Sequence, residues 1–246
     1  MVRSESFSIH QVIGNPVHHV ERMIQWDVDE LIVIDISAGE TIFDFARDDY
    51  RHRGPKNLGE FIAMISSECR IPLTFGGRIR SFEDVRQRIQ SGADKVTINR
   101  ALFEQPALVT EAANAFGRQA VVASIDYRVV DGLAEIYTGF GREKVGATLL
   151  DWSRRAEDLG AGEIFINAID RDGKAEGYDL ENIARVSEAV QVPVIACGGA
   201  GHVSHFLKCF NETTASAVAA GNIFHFTENA YPRAKTYLRQ KRNDLR

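Results

Sequence analysis

Asp126 closes the run VVASID, and a carboxylate at the tip of an apolar strand is placed for general acid or base work. Two Gly-Gly pairs, Gly76-Gly77 and Gly198-Gly199, follow short apolar runs and open helical patterns. Glycine there lets backbone N–H groups approach a phosphate at a helix N-terminus. A second polar turn follows 22 residues after each pair, Asn99-Arg100 in one case and Gly221-Asn222 in the other. The pattern therefore offers two phosphate sites, with tight strand-to-helix turns as the plainer alternative. Glu30, Lys95 and Glu163 each open an apolar run, so opposite charges could ring the other end of the strands; ordinary rim solvation is the alternative. Asp35, Asn167, Asp170 and Asp172 complete the polar residues at strand ends.

The elements that must position these residues are repeated. Residues 71–103 and 192–224 run 33 residues each without a gap, through Pro, apolar strand, Gly-Gly, helix, small-residue turn, second strand and polar turn. DELIVIDIS (29–37) likewise matches GEIFINAID (162–170). A repeat of βαβ units predicts parallel sheet, and about 250 residues of it in two halves predict one (β/α)₈ barrel, with half-barrels over 1–116 and 117–246. In that fold chemistry sits at the C-terminal strand ends, where Asp126 and the glycine turns fall.

Along the chain, residues 1–15 read as polar and irregular, with Asn15 capping a helix that starts at Pro16. That helix carries Val17, Val20, Met23 and Ile24 on one face. Residues 38–58 read as a long loop. Strands are expected at 30–36, 71–75, 94–98, 119–125, 163–167, 193–197 and 215–220. Helices are expected between them and at 230–241. Asp131-Gly132 marks a hairpin after the fourth of these strands. The strand preceding Glu163 has no counterpart preceding Glu30. Either residues 2–9 stand in as a poor strand, or the barrel lacks its first one.

Net charge is −5, which leaves no nucleic-acid footprint. No apolar run reaches the length of a membrane span, and no signal peptide is visible. Cys69, Cys197 and Cys209 are odd in number and lack metal-ligand spacing, so a reducing, cytoplasmic setting without metal or cofactor is expected. Cys197 has no base near it in sequence and reads as a strand-tip thiol rather than a nucleophile.

The stretches PLTFGGRIRSFED, GADKVTIN, VVASID, GAGEIFINAIDRDGKAEGYDL, VPVIACGGAG and NIFHF carry a resemblance. From about Phe7 onward the chain resembles the cyclase-subunit family of imidazole glycerol phosphate synthase. The resemblance implies a barrel of two half-barrels that binds a bisphosphate substrate and takes ammonia along its axis from a glutaminase partner in a heterodimer. It implies that Asp126 is one of two catalytic aspartates. It implies that Gly77, Asn99, Asp172, Gly173, Gly199, Gly221 and Asn222 lie at or beside phosphate positions, with Asn167 among the substrate contacts. Glu30, Lys95 and Glu163 match three of four charged residues gating ammonia entry.

Departures are expected to matter. The family's first strand, with its aspartate and gate arginine, finds no match, so little cyclase turnover with free ammonia is expected. Arg78 stands where a third glycine is usual, and its guanidinium could grip a diphosphate bidentately. Gly221-Asn222 replaces Ala-Ser, and the loop after the second strand is longer. These features resemble the paralogous branch of surface-polysaccharide pathways, which puts ammonia-derived nitrogen on a nucleotide-linked sugar. The rival expectations are a histidine-pathway cyclase that has lost its N-terminus and a non-catalytic subunit that activates a glutaminase.

Overall fold

In a computed structural model, residues 1–14, 16–37, 55, 57–68, 71–225 and 228–245 are described. The expected Asn15 cap, most of the 38–58 loop, and Cys69 lie outside these residues. The chain opens on β1 (Val2–Glu5) and β2 (Ile9–Val12), then α1 (Pro16–Gln25), β3 (Leu31–Ile34), α2 (Leu58–Glu68), β4 (Leu73–Gly76), α3 (Phe82–Gln90) and β5 (Lys95–Ile98). Next come α4 (Arg100–Glu104), α5 (Ala107–Phe116), β6 (Val121–Val130), β7 (Leu133–Thr138), β8 (Glu143–Thr148), α6 (Leu149–Asp158) and β9 (Glu163–Ala168). The chain ends with α7 (Leu180–Ala189), β10 (Val194–Cys197), α8 (Val203–Glu212), β11 (Ala217–Val218) and α9 (Ala230–Lys241).

The main sheet runs β3-β4-β5-β6-β9-β10-β11, each neighbouring pair parallel. Spatial order follows chain order, the arrangement expected of a barrel wall and not of a doubly wound sheet. Among the described residues no strand joins β11 to β3, so the wall has seven strands and a seam. The expected strand at 215–220 is only two residues long, the helix expected at 105–116 is α5, and a short helix, α4, precedes it in the turn after β5. Asp131 and Gly132 both take positive φ (49° and 80°), which suits the tight hairpin joining β6 to β7.

Residues 2–9 do not stand in for a first strand. They belong to an antiparallel hairpin, β1 with β2, that forms its own two-stranded sheet. Ser6 and Phe7 turn it with positive φ (50° and 56°), a conformation rarely taken without glycine or asparagine. Polar composition hid this hairpin: its apolar residues Ile9 and Val12 face solvent and build no core.

Alternation on the strands sorts the layers. Val121, Ala123, Ile125 and Tyr127 of β6 pack outward in the main core with Ile164, Ile166 and residues of the helices. Val122, Phe165 and Ile195 form a separate cluster inside the wall. Val20 of α1 packs with Phe61, Ile62 and Ile65 of α2 on Leu73 and Phe75 of β4. Helix α3 begins where Ser81 Oγ accepts from the Asp84 amide while Asp84 Oδ2 accepts from the Ser81 amide.

Across the seam a side-chain staple links the two ends of the chain. Asp29, just before β3, accepts from Tyr231 Oη at 2.6 Å and from Lys235 Nζ at 2.6 Å, both on α9. Asp29→Ala removes both contacts and is expected to cost about 1–3 kcal/mol, read from urea unfolding. Unchanged stability would show that the seam is held by apolar packing alone.

Candidate functional site

At the C-terminal ends of the strands, Asp126 is held by two asparagines. Asn99 Nδ2 donates to Asp126 Oδ2 at 3.0 Å and to the Ser124 carbonyl at 3.1 Å. The Asn167 side chain bonds the same carboxylate. Burial pushes the Asp126 carboxyl up to about 7, against the two asparagine bonds and with the Asp172 charge adding to the rise. A carboxyl near 7 exchanges its proton at neutral pH, as a general acid–base group must.

Asp172 lies on the segment after β9 that the DRDG motif predicted. Burial raises its carboxyl as well, opposed by the Ser4 hydroxyl. Ser4 Oγ donates to Asp172 Oδ2 at 2.6 Å, the Ser6 amide donates to the Asp172 carbonyl at 3.0 Å, and Asn222 Nδ2 donates to the Ser4 carbonyl at 2.8 Å. A Cβ on Gly173 would meet that carbonyl at 2.5 Å. The N-terminal hairpin thus sits on Asp172, Gly173 and Asn222, three residues expected at a phosphate. No sequence pattern indicated that Ser4 would reach them.

The glycine pairs have packing reasons of their own. A Cβ on Gly77 would lie 2.0 Å from the Asp35 carbonyl, and one on Gly199 would lie 2.1 Å from the Gly177 carbonyl. Both take positive φ. Gly221 differs: only His225 Nε2, 4.0 Å away, comes near its Cβ position, so the turn before Asn222 is open. Arg78 takes φ 56° and pairs with Asp35 at 3.8 Å, its side chain 38% exposed. Arg88, buried, donates to the Gly77 carbonyl at 3.0 Å and so fixes this turn from behind.

The opposite ends of the strands carry the expected charged ring. Lys95 Nζ donates to Glu163 Oε1 at 2.5 Å and to Glu30 Oε2 at 3.0 Å. Burial lowers the Lys95 ammonium, but bonds from Glu163 and Glu30 outweigh it and hold the group above the usual lysine range. Between this ring and Asp126 the inner face of β5 is polar, with Lys95 and Thr97, and Asn99 follows directly after the strand. Thr97 Oγ1 and Asn167 Oδ1 are buried and find no hydrogen-bond partner among the described residues, and Thr74 and Ser124 are buried polar neighbours. Sequence reading missed Thr97, although the period-2 pattern in KVTIN carries it. Cys197 is half-buried at the end of β10, and burial pushes its thiol up to about 12, away from the thiolate form that a nucleophile uses.

Fold and site together define a parallel half-barrel-repeat α/β protein with a raised, asparagine-held carboxyl at one end of the strands and a Glu–Lys–Glu cluster at the other. Residues 1–230 match the family described as Histidine biosynthesis protein. The chain belongs to that family. It is 42% identical over 241 residues to imidazole glycerol phosphate synthase subunit HisF of Alkaliphilus metalliredigens, covering 98% of this chain and 91% of that protein. It is 38% identical over 235 residues to the HisF subunit of Geobacillus kaustophilus, covering 95% and 88%. It is 36% identical over 248 residues to that of Anoxybacillus flavithermus, covering 100% and 94%. The expected kinship with the sugar-amidating branch finds no counterpart among these relatives. Among the described residues, no helix is long and apolar enough to cross a membrane.

Proposed function

We propose that this chain is the ammonia-using cyclase subunit of an imidazole glycerol phosphate synthase, working with a glutaminase partner. One observation carries the reading: a line of inward polar groups runs from the Lys95 ring to Asp126, with two buried atoms, Thr97 Oγ1 and Asn167 Oδ1, that find no partner among the described residues. Buried polar atoms are normally satisfied. A small molecule that both donates and accepts hydrogen bonds, such as ammonia, satisfies them in passing. In this reading ammonia enters past Glu30, Lys95 and Glu163. Asp126 moves a proton in the ring closure and carbon–nitrogen cleavage that give the product. The two ends of a bisphosphate lie at Gly77, Arg78 and Asn99 on one side and at Asp172, Gly173, Gly199, Gly221 and Asn222 on the other, once Ser4 has released Asp172.

A second reading, amidination of a nucleotide sugar, is favoured by Arg78 and the open Gly221 turn. The deciding experiment is co-purification with candidate glutaminases, then glutamine hydrolysis and turnover of either substrate class by the pair. Stimulated hydrolysis with turnover of the imidazole precursor supports the first reading, and turnover of a nucleotide sugar replaces it with the second. Stimulated hydrolysis without turnover of either leaves a glutaminase activator. Absence of binding at micromolar concentration removes all three.

Arg78→Gly separates ligand binding from folding. Glycine takes φ 56° without the cost, on the order of 1 kcal/mol, that a side chain bears there, which offsets the lost Asp35 pair. Stability is therefore expected to hold or rise slightly, while affinity for a diphosphate ligand falls about tenfold, the effect of one charge-assisted contact. Equal affinity by calorimetry would reduce Arg78 to surface decoration.

A further inference from the structure

Tyr127 follows Asp126 on β6, so its side chain leaves the opposite face of the wall. It is fully buried in the main core. Its hydroxyl donates to Asp179 Oδ2 at 3.0 Å, and burial first, then the Asp179 charge, holds it protonated as a permanent donor. Asp179 is buried too and caps α7: Oδ1 accepts from the Asn182 amide at 3.5 Å and Oδ2 accepts from Asn182 Nδ2 at 2.8 Å. The backbone of Tyr127 holds the other end of the same segment, its carbonyl accepting from the Ile169 amide at 2.8 Å. One residue therefore grips residues 169–179 at both ends, and that segment carries Asp172.

We infer that Tyr127 is a positioning residue: with Asp179 it clamps the Asp172 segment to the strand that carries Asp126, and so sets how closely the two carboxylates face each other across the site. Strand β6 needs no tyrosine here for packing alone, since an aliphatic or phenylalanine side chain would fill an outward core position. The hydroxyl is what reaches the α7 cap. The Asp172 charge contributes to the raised proton affinity of Asp126, so a looser segment weakens that contribution and admits water to the site. The inference rests on the reading of Asp126 as the acid–base group, but its test does not need turnover.

The test is carbon NMR of carboxyl-labelled aspartate in the full chain, with Asp126 assigned through Asp126→Asn. In Tyr127→Phe the Asp126 titration midpoint is expected to fall by roughly half a pH unit, part of the effect of a neighbouring charge, because the Asp172 charge moves but is not removed. Amide hydrogen exchange across 169–179 is expected to speed about tenfold, the effect of one hydrogen bond. Asp179→Ser breaks the same bond from the other side; serine still caps α7 but is too short to reach the hydroxyl, and the core ring is untouched. The same shift is expected there, which keeps the test available if Tyr127→Phe does not fold. Asp179→Asn keeps one oxygen, which can accept from the Tyr127 hydroxyl or from the α7 cap amide but not from both, and is expected to give a midpoint between wild type and Asp179→Ser. An unmoved midpoint in folded Tyr127→Phe and in Asp179→Ser overturns the inference and leaves Tyr127 a core residue. A shifted midpoint in a protein without lyase activity overturns the proposed function and leaves the inference standing.

Discussion

Asp126→Asn is expected to lower ammonia-dependent turnover of the glutaminase complex by about 10²–10⁴-fold, the usual contribution of one positioned proton-transfer group. The same substitution is expected to stabilise the protein at neutral and alkaline pH. Asparagine can still accept from Asn99, so the local bonds survive. What disappears is the cost of ionising a carboxyl whose folded value is raised from 3.8 to about 7. Sign follows from proton linkage: between about pH 4 and pH 7 the folded state binds more protons than the unfolded one, so wild-type stability falls as pH rises through that window. Above it the penalty is constant, on the order of 2–4 kcal/mol. Below about pH 4 the carboxyl is protonated in both states and the penalty vanishes. Urea unfolding of wild type and Asp126→Asn at pH 4, 6 and 8 reads this directly. Curves that stay parallel across that range would mean an ordinary, solvated carboxylate, and Asp126 would lose its claim to acid–base work.

How much of this was legible in the sequence depended on periodicity and distance. The duplicated βαβ units, the parallel strand order and the charged rim were readable because each is local or repeated: Glu30 and Glu163 open equivalent strands of the two halves, and Lys95 pairs with both. The hairpin at residues 2–12 was not readable. Its pairing needs no core, and its Ser4 bond to Asp172 spans 168 residues, which no local pattern encodes. The Gly-Gly pairs show a third case. Their types and spacing pointed to phosphate, yet Gly77 and Gly199 are required by neighbouring carbonyls whether or not phosphate binds. Sequence identified the position and left its cause undivided. Tyr127 was overlooked because an aromatic on an apolar strand reads as core, which it is; only the partner of its hydroxyl, 52 residues on, distinguishes it.

Lys95→Met is the other substitution with a large expected effect, and it acts at the far end of the strands. Methionine keeps most of the side-chain length but leaves Glu30 and Glu163 facing each other without a cation. Removing one partner of a fully buried ion pair costs about 3–5 kcal/mol. Here Lys95 and Glu163 are 15% and 17% exposed but Glu30 is 41% exposed, so water relieves part of the repulsion. A loss of about 2–3 kcal/mol at pH 7 is expected by that discount. In the wild type the raised Lys95 value supports folding from neutral pH up to the ordinary lysine range. That support is lost only as pH rises beyond it, because the folded value is raised. The functional effect separates the two nitrogen sources. If ammonia made from glutamine enters past the ring, as proposed, turnover with glutamine is expected to fall about tenfold or more, the scale of a broken coupling between two sites. With ammonium salt supplied at the mouth where Asp126 sits, turnover should stay close to wild type, since Lys95 is remote from the proton transfer. Equal losses with both nitrogen sources would show that Lys95→Met damages the barrel as a whole, and the ring would then be a structural brace rather than an entrance.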